Sequence, residues 1–242
     1  MKFNYSSLKK LFKQKKLNST LKDIIPAEIK NDIFYEYIHS IVQKNEIKNI
    51  LEIGSSSGSG STDALVKGIK ARHDVNEVKL FCLEVSKERY SKLQETYKDE
   101  PFFISYRHSS IHLNEFPSKQ EVSFFYENFE SPLNNFQLET IIQWYEQDLN
   151  YLKQEKLLES GIEIIKNSHQ LQYFDFVLID GSEFTGERDL SHTIGSKFIA
   201  LDDIRTFKCH YAFNNLLKDN NYKLLIKNLD LRNGFAIFER LS

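Results

Sequence analysis

Apolar positions along the chain fall into two registers. Short, nearly continuous apolar runs occupy residues 48–54, 78–85, 102–106, 173–180 and 197–201, several ending in a glycine or an acid. Runs of this length predict strands buried on both faces of a parallel sheet. Between them, apolar residues recur at helical spacing over residues 26–43, 61–72, 86–97 and 209–217. Pro26 suits a first helical turn. Ser61 or Thr62 is placed to cap the second helix and Ser86 the third. Residues 222–227 and 234–239 read as two last strands. Only residues 228–233 separate them, too few for a crossover helix, so they form an antiparallel hairpin.

Residues 113–172 break this alternation. They carry Pro117, Pro132, the aromatic run Phe124-Phe125-Tyr126 and one long helical pattern over 138–160. The segment is too long for a plain connection. It reads as a helical insertion lying over the C-terminal edge of the sheet, where open α/β folds bind ligands. The chain thus divides into an N-terminal helical segment (1–45) and a domain (46–242) with an insertion at about 113–172. The first sixteen residues hold Lys2, Lys9, Lys10, Lys13, Lys15 and Lys16 and no acid. They suit contact with a membrane surface or polyanion, or a solvated helix resting on the domain. They contain neither the apolar core of a secretory signal nor the arginines of a transit peptide, so a cytoplasmic location is expected.

Composition narrows the classes. The 242 residues include 34 acidic and 32 basic side chains, a formal charge of -2, which gives no global field for nucleic acid. Two cysteines exclude a disulfide scaffold and a four-cysteine zinc module, and Cys82 and Cys209 read as buried thiols. Nothing approaches the roughly 18 consecutive apolar residues of a membrane span. The aromatic share of 13% supplies material for a large core. Trp144, Tyr145 and the Phe124–Tyr126 run either pack the insertion or line an acceptor pocket.

Chemistry concentrates in residues 51–62, LEIGSSSGSGST, where the first strand turns into a helix. Gly54 and Gly58 allow positive φ and close approach of a ligand to the backbone, and the following helix offers unpaired N–H groups. This is a nucleotide or nucleoside cradle, or else a flexible turn. It lacks the Gly-Lys-Ser/Thr ending of a phosphate loop, and only a loose G-x-G match starts at Gly58. Glu84 ends the second strand, where a carboxylate accepts ribose hydroxyls or simply meets water. Asp180 ends the fourth strand and Asp202 and Asp203 the fifth. Parallel strands bring their tips together, and three hard oxygen donors suit Mg²⁺ or Ca²⁺. Alternatively one of the pair caps the next helix. Without a metal, one carboxylate, His192 or His210 would act as general base. The other histidines show no metal spacing. Arg205 and Lys208 meet an anionic substrate or a solvated face, and Arg232-Asn233-Gly234 reads as the hairpin turn.

Together these residues resemble the class I S-adenosylmethionine-dependent methyltransferases. The resemblance runs over about residues 47–240 and is carried by Glu52-x-Gly54-x-x-x-Gly58, by Glu84, by Phe176–Gly181 and by the final hairpin. Ser56 stands where the family's first motif usually has its middle glycine. The resemblance implies a Rossmann-like, doubly wound α/β fold, with a mostly parallel seven-stranded sheet, an antiparallel last strand and helices on both faces. It also implies S-adenosylmethionine lying across Glu52, Gly54, Ser55, Ser56, Gly58 and Ser61. The ribose would rest on Glu84, the adenine near Ser109, Ser110 and Ile111, and Asp180 beside the methyl group. The layout of Asp180, Asp202 and Asp203 is similar to the catechol O-methyltransferase-like branch, which implies Mg²⁺ or another divalent cation. The implied reaction is O-methylation of a small-molecule, sugar or glycan hydroxyl, with Asp180, Asp202 and His210 as catalytic candidates. The tail also resembles methyltransferase-like domains found beside bacterial glycosyltransferases. Two alternatives are another enzyme on this fold, a hydroxylase or nucleotide-sugar enzyme, and a binding module without turnover. The sequence does not specify an oligomeric state.

Overall fold

A computed structural model of the chain describes residues 21–241, so the lysine-rich start falls outside the described residues. In chain order the elements are α1 (Ile33–Val42), β1 (Asn49–Ile53), α2 (Ser61–Lys70), β2 (Lys79–Leu83), α3 (Lys87–Tyr97), β3 (Phe103–Tyr106), α4 (Lys119–Asn128), α5 (Leu138–Gln154), α6 (Gly161–His169), β4 (Phe176–Ile179), α7 (Gly186–Thr193), β5 (Phe198–Asp202), α8 (Phe207–Lys218), β6 (Tyr222–Asn228) and β7 (Phe235–Arg240). The strands form one sheet in the order β3-β2-β1-β4-β5-β7-β6. β1 to β5 pair in parallel, and β7 runs antiparallel between β5 and β6. The expected architecture is the observed one.

Strand alternation feeds two cores. Ile50, Leu80, Cys82, Phe176 and Leu178 face one side, where α1, α2 and α3 cover them with Phe34, Ile38, Leu65, Ile69 and Leu93. Leu51, Ile53, Phe81, Leu83, Val177 and Ile179 face the other, under α6, α7 and α8. Burial on both faces explains why the strands read as unbroken apolar runs. Both cysteines are buried as expected. Among the described residues, no helix is long and apolar enough to cross a membrane.

Three expected helix starts or ends are corrected. α1 starts at Ile33 rather than residue 26, because the Asp32 carboxylate accepts the Tyr35 N–H at 2.9 Å and ends the irregular stretch there. Ser86 caps α3 as expected, but α2 begins after Gly60 without a side-chain cap. Ser61 and Thr62 turn their hydroxyls elsewhere. The helix expected over 138–160 stops at Gln154 as α5, and α6 begins only at Gly161. Lys156 adopts φ 56°, and Ser160 accepts the Glu163 N–H at 3.2 Å to start the second helix.

The insertion carries its own core of Val122, Phe125, Leu133, Ile141 and Tyr145, which meets the main domain at Phe184 and Phe207. Packing is therefore what Phe125 and Tyr145 do, and Trp144 packs edge-on against Phe136 at 5.0 Å. Phe124 is exposed.

Candidate active site

The bend after β1 is shaped by its neighbours. Gly54 has φ 87°, and a Cβ there would lie 2.2 Å from the Asp180 carbonyl oxygen. Gly54 and Ser55 both donate their N–H groups to the Leu83 carbonyl at 3.0 Å. The bend is thus fixed to the tips of β4 and β2 at once. Gly58, at φ 82°, lies against the Tyr97 ring and the Leu93 side chain, and the Tyr97 hydroxyl donates to its carbonyl. Ser56 holds φ 50°, the left-handed conformation that glycine adopts without cost.

Glu52 is turned into the protein. Its buried carboxylate accepts the hydroxyls of Ser61 and Thr62, each at 2.6 Å, so it ties β1 to the first turn of α2. Ser55 is likewise buried beside the Cys82 thiol. Both residues, with Ser61, shape the bend from beneath. Glu84 faces it directly. One carboxylate oxygen accepts the Ser56 N–H at 2.7 Å and the other accepts the Ser86 N–H at 2.7 Å. Burial pushes its pKa up, against the pull of those backbone donors and of Arg89.

Ser109, Ser110 and Ile111 follow β3 and are all buried. The Ser109 carbonyl accepts the Gly161 N–H at 2.7 Å and the Ser110 carbonyl accepts the Ser160 hydroxyl at 2.8 Å, so the start of α6 holds this stretch. Beside it, the Nδ1 atom of His108 is buried without a hydrogen-bond partner.

The three aspartates do converge. One carboxylate oxygen from each of Asp180, Asp202 and Asp203 lies within 4.8 Å of the others. They do not stand alone. The Lys208 ammonium, 10% exposed, lies 2.8 Å from Asp180 Oδ1 and 2.8 Å from Asp203 Oδ2. Arg232 Nη2 lies 3.0 Å from Asp202 Oδ1, and the Asn233 amide donates to Asp203 Oδ1 at 2.9 Å. Asp203 holds φ 55°, and its carbonyl accepts the Thr206 N–H at 3.1 Å where α8 begins. Burial raises Asp180 to about 6 and Glu183 to about 7, with Lys208 opposing in both cases. Burial also opposes charge on Lys208, but Asp180, Asp203, Glu183 and Asp202 outweigh it and raise its pKa. As paired here, this donor set does not fit a divalent ion, because one oxygen of Asp180, one of Asp202 and both of Asp203 are already held by two cations and an amide.

Sequence reasoning missed Lys208 and Glu183 as members of this cluster. Lys208 meets carboxylates of its own chain, not water or a substrate anion, and the Glu183 carboxylate accepts the Lys208 N–H at 3.1 Å. The Arg232-Asn233-Gly234 turn also supplies two of the cluster's donors. Arg205 is exposed and donates to the Leu229 carbonyl. His210 is corrected as a candidate base. Two positions from Lys208 puts it roughly 200° around α8, where its ring packs against Phe129 at 4.8 Å and Phe125 at 5.2 Å. His192 is tied to Glu115 at 2.9 Å.

The insertion reaches the site through α5. The Tyr151 hydroxyl accepts the Lys87 N–H at 3.0 Å, and Asp148 accepts the Ser182 hydroxyl at 2.7 Å. Two open hollows of about 580 and 520 Å³ flank Asn114, Phe116 and Tyr145, and neither is lined by residues 54–62 or Glu84. The Tyr151 and Asp148 contacts set α5 against the segments that follow β2 and β4. Burial raises Asp148 to about 6, against Ser182 and Arg89. Between roughly pH 4 and 6 the folded chain keeps a proton that the unfolded chain releases, so this group lowers stability as pH rises. Asp148→Asn is expected to be more stable than the parent at pH 8 by on the order of 1–2 kcal/mol, less than full linkage because solvent still reaches the carboxyl. The two proteins should match near pH 4, as urea melts at both values will show.

Compared with protein-family profiles and with curated proteins, the sequence matches none. Solved structures do resemble it. An O-methyltransferase from Bacillus cereus in complex with SAH aligns over 100% of this chain and 93% of its own, with a TM-score of 0.53 and 13% identity. A methyltransferase from Geobacter sulfurreducens aligns over 100% and 91%, with a TM-score of 0.52 and 8% identity. Strand order, the antiparallel β7 and these likenesses agree that the described chain has the fold of the class I S-adenosylmethionine-dependent methyltransferases.

Proposed function

We propose that the protein is an S-adenosylmethionine-dependent methyltransferase acting on a hydroxyl of a small molecule, sugar or glycan. One observation carries the reading. The Glu84 carboxylate lies at the tip of β2 and is hydrogen-bonded to the Ser56 N–H of the glycine bend, which puts an acceptor for a ribose diol against a backbone that a ligand can approach. The partnerless Nδ1 of His108 supplies a polar atom beside Ser109–Ile111 for an adenine edge. The O-methyltransferase and methyltransferase neighbours named above support the same reading by fold. When bound, the sulfonium supplies an electrophilic methyl group.

The chain's own residues would do the rest. Glu84 binds the sugar, and Gly54 and Gly58 let the bend pack tightly on β4 and α3, which fixes the backbone beside Glu84. Asp180, 21% exposed and raised to about 6, accepts the proton of the acceptor hydroxyl near neutral pH. The Lys208 ammonium beside it stabilises the negative charge that develops on that oxygen. α5 shields the reacting centre from water through Tyr151 and Asp148.

Calorimetry and thermal melts with S-adenosylhomocysteine test the reading. Ligand at about 100 times Kd should add roughly 2.7 kcal/mol of stability. A protein that ignores S-adenosylhomocysteine and is stabilised by a nicotinamide or nucleotide-sugar ligand would belong to another chemistry on this fold.

A further inference from the structure

The carboxylate cluster at the tips of β4 and β5 has the donors of a metal site and the occupancy of a different one. We propose that the Lys208 ammonium is a built-in cation that takes the place a divalent ion would hold among Asp180, Asp202 and Asp203, so that this centre works without metal. The geometry carries the assignment. Lys208 Nζ lies 2.8 Å from an oxygen of Asp180 and 2.8 Å from one of Asp203, bridging the tips of the two strands as an ion would. The remaining charge is met by Arg232 on Asp202. The second Asp203 oxygen accepts an N–H from Asn233, so the turn also presents donors, the wrong polarity for a cation shell. The side chain is held for this task. Its backbone N–H is fixed by Glu183 at 3.1 Å, and a Cβ on Gly186 would come within 1.9 Å of its carbonyl oxygen, so α7 and α8 are pressed together at this position. A lysine at a helix start is ordinarily solvated; this one is 8% exposed as a residue.

One ammonium N–H goes to Asp180 and the Asp203 carboxylate pairs with the same charge, which leaves donor capacity for a bound hydroxyl. That part rests on the methyl-transfer reading. There the fixed charge does the electrostatic work of a Lewis acid and lowers the hydroxyl's pKa, and the proton leaves to Asp180.

Mn²⁺ titration, followed by electron paramagnetic resonance and by thermal melts, decides the assignment on the full chain. The parent protein is expected to bind no stoichiometric Mn²⁺ and to melt at the same temperature with Mn²⁺ or EDTA. Lys208→Ala and the better-filling Lys208→Met are expected to melt lower and to bind one Mn²⁺ per chain, which restores several degrees of the lost midpoint. A stoichiometric Mn²⁺ site in the parent that Asp203→Asn removes would overturn the proposal. So would folded Lys208 variants that take up no Mn²⁺. If neither variant folds, the parent titration alone decides. S-adenosylhomocysteine binding, measured in the same samples, reports on the bend. Its failure would remove the methyl-transfer reading and leave the cation assignment standing.

Discussion

Gly54→Ala is expected to lower stability by about 3 kcal/mol and to abolish S-adenosylhomocysteine binding. Two costs add. The residue holds φ 87°, which an alanine adopts only at roughly 1–2 kcal/mol. Its Cβ would then sit 2.2 Å from the Asp180 carbonyl oxygen and 2.7 Å from Gly181 Cα, both backbone atoms that cannot swing aside. Relief requires the bend to move away from β4, and that strains the pairing on both sides. The Asp180 N–H donates to Ile53 and the Gly54 N–H to Leu83. The acid cluster would shift with the bend, since Asp180 belongs to both. Ser59→Ala, at an exposed position of the same loop, should change neither property. Urea midpoints and calorimetry of the two variants make the comparison, and a parent-like midpoint for Gly54→Ala would show that β1 and β4 tips are not packed as described.

The second large effect is expected at Glu84. Glu84→Ala removes the ribose acceptor, leaves the buried Ser86 N–H without its partner at a cost of about 1–3 kcal/mol, and frees the half-buried Ser56 N–H at a smaller one. S-adenosylhomocysteine should then give no thermal shift. Glu84→Gln separates binding from folding. It keeps one acceptor oxygen, should melt closer to the parent, and should still bind roughly 10–100-fold more weakly because the charge-assisted bonds are gone. Burial holds the Glu84 carboxyl above its ordinary range, so it protonates at higher pH than an exposed glutamate. Binding by the parent should accordingly weaken on the acid side, and Glu84→Gln should lose that dependence. An undiminished affinity in Glu84→Gln would detach the ribose from this residue.

Much of this was readable in the chain. Parallel strands buried on both faces leave unbroken apolar runs, and Ile50-Leu51 or Val177-Leu178 show the pattern because each neighbour feeds a different core. The bend, Glu84 and the three aspartates were readable because strand tips are adjacent whenever strands are. What escaped was set by partners distant in sequence. The apolar spacing of 138–160 continues through Leu152 and Leu157, so nothing periodic reveals that Lys156 turns left-handed and Ser160 starts a new helix. Glu52 looked like a ligand contact because its spacing matches the motif, whereas its carboxylate is spent on Ser61 and Thr62. Lys208 was hidden most completely. A lysine in a helix reads as solvated, and only the fold shows it closing the gap between β4 and β5.

The contacts of Arg232 have a consequence for the order of assembly. Its guanidinium joins Asp202 to Asp32, the residue that caps α1, and Phe34 stacks on Phe235 at 4.3 Å in the adjoining hairpin strand. Asp32 and Arg232 are 200 positions apart. The Arg232 bridge between α1 and the charged centre therefore closes only when the hairpin is in place. Contacts that close such large loops are expected late in folding, so the start of α1 and the charged centre are expected to settle together.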